Sequence, residues 1–492
     1  MTEQKTHDRF TLTPELTINR VLIGLWQVAD IERKSGAIDP EKGADDLQSY
    51  LEAGFNTFDM ADHYGTAEII TGTLLKRYEY CSERPVALTK WCPPPGPMTA
   101  NLVRMGIEER CKRLRVERLD LLQFHWWNFE HPAGLDALHA LATLRQEGLI
   151  AEIGVTNFDA EHLHLALADG VPLVSNQISF SLVDRRAAGT LRTLCEKSSV
   201  RLLGYGTLCG GFLSEKWLGT EEPDHISDWS KMKYKRFIDA SGGWDAFQGI
   251  LLSASQIARK HGVSIPNVAT RWVLEQKGLA AVIIGARLGE NMHAADNFRL
   301  FSFALDAEDY KLLENAFDAT HPIPGDCGDE YRKPPFLTAS GDLSHHLKKM
   351  PSLYDGEPVL NKPGISRVSS GSEWEEIAGY CRAQRVGNRI FVSGTTATDG
   401  TDRVVAPGDA AAQTTFILDK ILAALSALGA KAEDIVRTRI YLTNEKDVHA
   451  VSRAHGRVFL DIRPANTLVV VAKLIGDYCV EIEAEALVEY PE

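Results

Sequence analysis

The sequence contains no Cys-X-X-Cys pair, no long apolar run and no excess of basic residues, and each absence excludes a class of protein. Its eight cysteines are scattered, which argues against a zinc ribbon or a dithiol redox motif and fits reduced thiols in the cytoplasm. No metal site is predicted. No stretch of about 18 apolar residues occurs, and the opening "MTEQKTHDRFTL" has no signal-peptide core. The net charge of −14 argues against nucleic acid or an anionic membrane as the main partner.

β-rich apolar runs alternate with helical patterns up to about residue 317, after a short predicted hairpin at 10–20. Eight strands with helical crossovers over about 300 residues favour a (β/α)₈ barrel. An open doubly wound sheet is the alternative, disfavoured because no GxGxxG follows the first strand. The predicted strands are "RVLIGLW" (20–26), "TFDMAD" (57–62), "VALTKW" (86–91), "LDLLQFHW" (119–126), "IAEIGVTNF" (150–158), "LVSNQIS" (173–179), "RLLGYGTL" (201–208) and "AVIIGA" (281–286).

Two other regions depart from this alternation. Residues 214–244 form an unusually long predicted loop, read as a lid or binding segment, or as a surface insertion without a role. Residues 318–365 are rich in Pro, Gly, Asp and Ser and predict a connector.

Strands clustered around two helices then predict a compact α+β domain. The predicted division is a barrel at 1–317, a connector at 318–365 and an α+β domain at 366–492.

Titratable residues stand where the predicted strands end. Asp59 ends the second strand, Lys90 the third and His125 the fourth, and Tyr64 follows Asp59 by five positions. Each alone has an ordinary structural explanation. Because the carboxyl ends of barrel strands form one face, we expect the four side chains to converge there.

This set has a coherent chemistry. An ammonium beside a phenol favours the phenolate, so Lys90 is expected to make Tyr64 a better acid, while Asp59 keeps the lysine charged. A neutral His125 is expected to donate to a substrate carbonyl. Together the residues would protonate an oxygen while hydride reaches the carbonyl carbon.

A hydride donor requires a cofactor site on the same face. The amides of Asn157 and Gln177 could hold a nicotinamide carboxamide, and Tyr205 could stack on its ring. Gly285 and Arg287 are expected near a helix start, and Arg287 could bind the 2′-phosphate of NADP, although a surface ion pair is an equal alternative. Trp126 and Trp127 follow His125 and predict an aromatic substrate wall, or barrel-rim packing.

Residues 10–317 resemble the aldo-keto reductase superfamily. The motifs "FDMADHYG", "ALTKW", "LLQFHWW", "IGVTNF", "NQISFSL" and "IIGAR...DN" carry the resemblance through the whole barrel. It implies a carbonyl reductase or alcohol dehydrogenase dependent on NADP, with NAD possible, and without metal. Asp59, Tyr64, Lys90 and His125 would be its catalytic tetrad. The cofactor contacts it implies are completed by Trp26, Thr156, Gly206, Leu208, His293, Asp296 and Asn297.

Residues 370–490 resemble the Rid/YjgF family, whose members often hydrolyse imines and enamines as trimers. The motifs are "VGNRIFVSGTTA", "RPANTLVVVAKL" and "VEIEAEAL". Glu481 matches the family's acid, but Asn466 stands where deaminating members have arginine, and Arg463 lies three residues earlier. Asn offers no charge to a carboxylate, so this domain is expected to be structural, oligomerising or ligand-binding.

Three functional hypotheses follow. The first is an NADP-dependent oxidoreductase acting on a small carbonyl or alcohol, assembled as a homo-oligomer, with a trimer favoured through the C-terminal domain. The second is a non-catalytic cofactor sensor or assembly protein. The third is a coupled reductase and imine deaminase, which only the fusion of the two domains suggests.

Overall fold

The computed structural model describes residues 8–28, 38–81, 83–289, 293–332 and 351–489, without the side chain of Trp229. An antiparallel hairpin, β1 (Arg9–Thr13) and β2 (Leu16–Asn19), precedes a closed barrel of eight parallel strands. The hairpin and the barrel predicted from the sequence are both present. The barrel strands are β3 (Val21–Gly24), β4 (Thr57–Asp59), β5 (Val86–Trp91), β6 (Leu119–His125), β7 (Ile150–Thr156), β8 (Leu173–Ser179), β9 (Arg201–Tyr205) and β10 (Leu279–Gly285).

Helices surround the barrel, so its strands are buried on both faces and read as continuous apolar runs. The helix starts follow local chemistry: Asp39 caps the first helix, which has proline at its first position, and Asp159 caps the fifth. These helices are α1 (Pro40–Glu52), α2 (Ala67–Arg77), α3 (Ala100–Leu114), α4 (Ala133–Gln146), α5 (Ala160–Ala168), α6 (Thr190–Lys197), α7 (Trp229–Ala240), α8 (Gly243–His261), α9 (Ile265–Leu274), α10 (Ala294–Arg299), α11 (Ala307–Phe317) and α12 (Asp329–Arg332).

The predicted long loop at 214–244 is not a loop throughout, because α7 occupies much of it. Tyr234, Phe237 and Ile238 of this helix are buried. Their spacing matches one face of a helix, and this apolar face explains why the segment packs rather than projecting into solvent.

The middle of the predicted connector at 318–365, residues 333–350, lies outside the described residues. Its first part returns to the barrel: Glu330 is fully buried and pairs with Arg186, with an Nη2–Oε2 distance of 3.1 Å. This segment reaches the face of the barrel where the strands end.

The C-terminal region forms one seven-stranded sheet in the order β11-β12-β13-β14-β17-β15-β16. β15 and β16 are parallel and the other neighbouring pairs are antiparallel. The predicted α+β architecture is present, with two additional strands: β11 precedes the predicted start at residue 366, and β12 begins one residue before it. The elements are β11 (Gly356–Pro358), β12 (Ile365–Val368), α13 (Glu373–Ala378), β13 (Ala383–Val386), β14 (Arg389–Thr395), α14 (Ala410–Ala427), β15 (Ile435–Leu442), α15 (Val448–Phe459), β16 (Ala465–Val470) and β17 (Val480–Leu487).

The two domains meet where α5 of the barrel packs against α14. The buried carboxylate of Asp169 accepts hydrogen bonds from the Arg403 guanidinium at 2.8 Å and from the backbone N–H of Ala406 at 2.8 Å. The contact between the two domains therefore includes an ion pair whose carboxylate is buried. Among the described helices of both domains, none is long and apolar enough to cross a membrane.

Candidate active site

A deep cleft of about 1000 Å³ opens at the carboxyl ends of the barrel strands. Every barrel residue predicted for catalysis or cofactor binding lines it, which parallel closure explains. These residues are Trp26, Asp59, Tyr64, Lys90, His125, Thr156, Asn157, Gln177, Tyr205, Gly206, Leu208, Gly285, Arg287, His293, Asp296 and Asn297.

Of the two tryptophans predicted as a substrate wall, only Trp127 lines the cleft. Its ring meets His125 edge-on, with ring centroids 4.3 Å apart. Trp126 points the other way: it is buried, its indole N–H donates to the carbonyl of His131, and its ring stacks on Phe124. The interpretation of Trp126 as part of a substrate wall is therefore wrong, and its alternative, packing of the barrel rim, is what the structure has, because successive residues leaving β6 face opposite sides.

Asp59 and Lys90 form a buried ion pair at the floor of the cleft. Lys90 Nζ lies 2.7 Å from Asp59 Oδ2 and donates a second hydrogen bond to the carbonyl of Met60 at 3.0 Å. The other oxygen of Asp59 accepts from the side-chain amides of Gln123 at 3.1 Å and Gln177 at 2.7 Å. Four hydrogen bonds thus hold two charged side chains that are 3–4% exposed, and a buried ion pair requires such hydrogen bonds for its stability.

Tyr64 stands beside this pair with its ring enclosed by Trp26 and His63, each with its centroid 4.9 Å from that of Tyr64. Lys90 Nζ lies 5.1 Å from the centre of the tyrosine ring. Burial and then the Asp59 carboxylate raise the pKa of Tyr64 well above its ordinary value. The Tyr64 hydroxyl is therefore protonated at neutral pH. Lys90 gives two of its three hydrogens to Asp59 and Met60, and its predicted effect of making this phenol more acidic stays a prediction.

His125 is a neutral imidazole with one free nitrogen. Its Nδ1 lies 3.2 Å from the carbonyl oxygen of Thr156, which only accepts, so Nδ1 carries the hydrogen. Burial, followed by the charge of Arg332, holds the pKa of His125 well below its ordinary value. Its buried Nε2 has no hydrogen-bond partner among the described residues. In this tautomer Nε2 is a hydrogen-bond acceptor, and the predicted donation from His125 to a substrate carbonyl would require the hydrogen to be on Nε2 instead.

One wall of the cleft carries the predicted amide residues. Asn157 has a left-handed backbone (φ 59°), and its Oδ1 accepts from the Tyr205 hydroxyl at 2.8 Å. Asparagine tolerates this conformation better than most residues. The amide nitrogen of Gln177 is used by Asp59 and by Gln123. Asn157 thus presents its amide nitrogen and Gln177 its carbonyl oxygen to a ligand in the cleft.

The opposite end of the cleft holds the predicted phosphate residues. Arg287 is half exposed and lies 3.9 Å from Asp228 of the segment before α7. The predicted helix start near Gly285 is wrong, because α10 begins only at Ala294 and has six residues. Asp296 accepts from the Ser264 hydroxyl at 3.0 Å, which ties α10 to the start of α9.

The lining residues that were not predicted include Lys233 of α7 and Tyr331 of α12. Lys233 Nζ is buried and donates to the Tyr331 hydroxyl at 2.8 Å. The Tyr331 ring lies edge-on to His125, with centroids 5.8 Å apart, so it closes the side of the cleft beyond Trp127. Helical apolar spacing in "KYKRFIDA" was the one sequence signal for the helix that carries Lys233.

The predicted Rid-like cleft is not assembled within one chain. Asn466 is paired with Thr438 in the β15–β16 register and donates to its hydroxyl at 2.9 Å, whereas Glu481 pairs with Tyr441. Positions 438 and 441 are three apart on one strand, so Asn466 and Glu481 face opposite sides of the sheet. Arg463 is exposed, and its Nε donates to the backbone carbonyl of Leu460.

Comparison with known proteins agrees with this architecture. The model of the Aldo/keto reductase family matches residues 20–318, and that of Endoribonuclease L-PSP matches residues 371–488. Over 336 residues the chain is 26% identical to aldo-keto reductase YhdN of Bacillus subtilis (strain 168), a match that covers 64% of this chain and 95% of YhdN.

Two further similarities cover one domain each. The chain is 39% identical over 128 residues to the uncharacterized protein SCO2049 of Streptomyces coelicolor, covering 26% of this chain and 95% of that protein. The solved glycerol dehydrogenase AKR11B4 from Gluconobacter oxydans has the same fold with a TM-score of 0.53 at 24% identity, covering 65% of this chain and 98% of the other. The chain therefore belongs to the aldo/keto reductase family of oxidoreductases and carries a C-terminal domain of the Rid/YjgF type.

Proposed function

We propose that the protein is an NADP-dependent oxidoreductase that reduces a small carbonyl compound, with Tyr64 as the proton donor. The observation that carries the proposal is the floor of the cleft, where a protonated phenol, a buried ion pair and the free Nε2 of His125 meet. A general acid must carry a proton at the operating pH and lie within hydrogen-bond reach of the oxygen that it protonates.

The residues of the cleft fit a nicotinamide dinucleotide. Asn157 would hold the carboxamide, Tyr205 would face the ring, and Arg287 would meet a 2′-phosphate at the outer end. When bound, the reduced nicotinamide supplies hydride to the carbonyl carbon. The chain then supplies the proton from Tyr64 Oη to the carbonyl oxygen, and His125 Nε2 accepts a hydrogen bond from the hydroxyl that forms.

A panel of aldehydes and ketones, assayed with NADPH and with NADH by nicotinamide absorbance, tests this activity. Relatives suggest where to begin: a 26% identical protein of Arabidopsis thaliana is named a pyridoxal reductase, and a 24% identical protein of Escherichia coli is named an NADH-specific methylglyoxal reductase. Turnover of at least one carbonyl is expected. No turnover, together with undiminished nicotinamide binding, would favour the cofactor-sensor alternative.

Replacing Arg287 by alanine should weaken the binding of NADPH more than that of NADH. The guanidinium can bind a 2′-phosphate in a bidentate manner, and NADH lacks this group. Fluorescence titration with both nucleotides measures the change. Arg299→Ala is the matched control, because its half-exposed guanidinium lies on α10 near Asp296 and does not line the cleft. An unchanged preference in Arg287→Ala would remove Arg287 from the phosphate site.

We propose that the second domain, approximately 366–492, assembles the protein as a homo-oligomer, with a trimer favoured. Two features support this. The edge strand β16 exposes Val469 and Val470, and the sheet face opposite α14 exposes Phe391 and Leu487. Exposed apolar edge strands are rare in monomers because they invite pairing. The separation of Asn466 from Glu481 supports assembly over imine hydrolysis within one chain.

Light scattering tests the assembly. The parent should show a mass of several 54.4 kDa chains. Phe391→Glu should lower it, because it places a second carboxylate opposite Glu485 on the exposed sheet face. Tyr80→Glu is the control, since Tyr80 is an exposed aromatic residue that belongs to the barrel and not to the second domain. A monomeric parent would contradict the assembly role.

A further inference from the structure

A buried imidazole joins the two domains between two carboxylates. His162 of α5 is 4% exposed; its Nδ1 lies 2.7 Å from Asp159 Oδ2 in the barrel, and its Nε2 lies 3.0 Å from Asp419 Oδ2 on α14. Ionised carboxylates only accept hydrogen bonds, so both ring nitrogens carry hydrogen and the ring is an imidazolium. Burial alone would lower the pKa of His162, but the charges of Asp159 and then Asp419 raise it above its ordinary value.

Both carboxylates are fixed within their own domains. Asp159 caps α5 by accepting from the backbone N–H of His162 at 2.9 Å. Asp419 faces Arg457 of α15, with an Oδ1–Nη2 distance of 3.7 Å. The unit Asp159–His162–Asp419 is called here the interdomain bridge. It links helices α14 and α15 of the second domain to α5 of the barrel through direct contacts between charged side chains.

The bridge reaches the amide wall of the cleft through the backbone. Asp159 lies two residues after Asn157, whose left-handed backbone and hydrogen bond from Tyr205 set where its amide points. The residue between them, Phe158, is also anchored: it donates to Asn176 Oδ1 at 3.3 Å and accepts from Asn176 Nδ2 at 2.8 Å. Asn157, Phe158 and Asp159 therefore form one short backbone segment, and we expect a displacement of Asp159 to change the position of Asn157.

The bridge reaches the substrate wall through stacked rings. The His162 ring lies parallel to that of Phe129, with centroids 3.5 Å apart, and the Arg332 guanidinium lies 4.0 Å from the Phe129 centroid. Arg332 Nε donates to the carbonyl of Trp126 at 3.1 Å, and Arg332 directly follows Tyr331, which lines the cleft. The imidazolium is thus connected to both walls of the reductase site through intermediate residues, and it neither contacts nor lines the cleft itself.

We propose that Asp419 of the Rid-type domain is a positioning residue for the reductase site, acting through His162 on Asn157 and on the Tyr331 segment. The inference rests on the proposed function, because it concerns the binding of nicotinamide and carbonyl in that cleft. Its consequence is that the second domain does more than assemble the protein: it completes the support of the barrel's active site. The barrel's own residues hold one side of the imidazolium, and the other side comes from the fused domain.

The test compares two interdomain carboxylates in the full chain. Asp419→Asn removes the charge at the bridge. Asp409→Asn is the matched control, since Asp409 pairs with His164 of the same helix α5 at 2.9 Å, and asparagine preserves its role as the N-cap of α14. We expect Asp419→Asn to raise the Kd and KM for NADPH about tenfold, the scale of measured couplings. Asp409→Asn should remain within about twofold, and kcat should change little in both.

Two further variants keep the result decisive. Asp419→Glu retains the charge and should recover most of the NADPH affinity, which a purely structural role of the side-chain shape would not predict. Should Asp419→Asn fail to fold, Phe129→Leu removes the stacked ring without leaving a charge unpaired, and it should raise the same KM.

The outcomes separate the two proposals. A parent protein that neither binds NADPH nor turns over a carbonyl overturns the proposed function and, with it, this inference. A parent that is active, with Asp419→Asn or Phe129→Leu indistinguishable from Asp409→Asn in Kd and KM, overturns the positioning role alone. Equal loss of NADPH affinity in Asp419→Asn and Asp409→Asn would mean that the bridge only helps to hold the two domains together. This outcome also overturns the positioning role of Asp419.

Discussion

Replacing Tyr64 by phenylalanine should lower the rate of carbonyl reduction by about 10²-fold or more, the usual contribution of a general acid. The change removes one hydroxyl and keeps the ring that packs against Trp26 and His63. The buried ion pair of Asp59 and Lys90 lies beside the ring and does not depend on that hydroxyl for its hydrogen bonds. The fold and the nicotinamide site should therefore survive, and the loss should fall on kcat.

Steady-state kinetics with the best carbonyl of the panel measure the effect, and NADPH titration checks that binding is retained. Tyr310→Phe is the matched control: its hydroxyl donates to Glu275 at 2.8 Å on the outer helices and lies outside the cleft. It should react at the parent rate. Equal turnover by Tyr64→Phe and the parent would refute the assignment of Tyr64 as proton donor.

The sequence was sufficient for the parts of the site that parallel closure determines. Asp59 and His125 each end a strand and Lys90 is the last residue but one of its strand, and a closed parallel barrel brings all such ends to one face. The same reasoning does not place Trp126 in the substrate wall. Side chains alternate along an extended segment, and Trp126 is the first residue after the strand end at His125, so its side chain faces the other way. His125 and Trp127 share a side, and Trp126 faces the outer layer.

Residues from irregular or distant segments could not be predicted in this way. Lys233 and Tyr331 are 98 positions apart and meet through one hydrogen bond. Tyr331 lies in a stretch whose Pro and Gly content reads as a connector, and no periodicity marks it as part of a wall. Such contacts depend on how the chain returns after the last barrel helix, which tertiary packing decides.

The electrostatics of the site also depended on contacts that a sequence does not specify. Whether a lysine makes a tyrosine acidic depends on which groups occupy its three hydrogens. Lys90 gives its hydrogen bonds to Asp59 and Met60, and the burial of Tyr64 dominates its pKa. Likewise the tautomer of His125 follows from the carbonyl of Thr156, a backbone group with no sequence signature.

Replacing Asp59 by asparagine should lower the free energy of unfolding of the barrel by about 3–5 kcal/mol, the usual effect of removing one partner of a buried ion pair. Lys90 would remain 3% exposed with a charge and no anion, while the amides of Gln123 and Gln177 would donate to a poorer acceptor. The double variant Asp59→Leu with Lys90→Met removes both charges at similar volume. It should be markedly more stable than Asp59→Asn, although neither variant should be active.

Urea unfolding followed by tryptophan fluorescence measures this difference, because eight of the nine tryptophans precede residue 318 and report on the barrel. The chain has two domains, so the barrel transition must be separated from that of the second domain before a free energy is extracted. Asp120→Asn is the control. Asp120 pairs with Arg84 at 2.8 Å, and both side chains keep access to water, so its loss should cost about 1 kcal/mol or less. If Asp59→Asn unfolded at the same urea concentration as Asp120→Asn, Lys90 would have to find another anion or lose its proton at little cost. The ion pair would then not hold the floor of the cleft together.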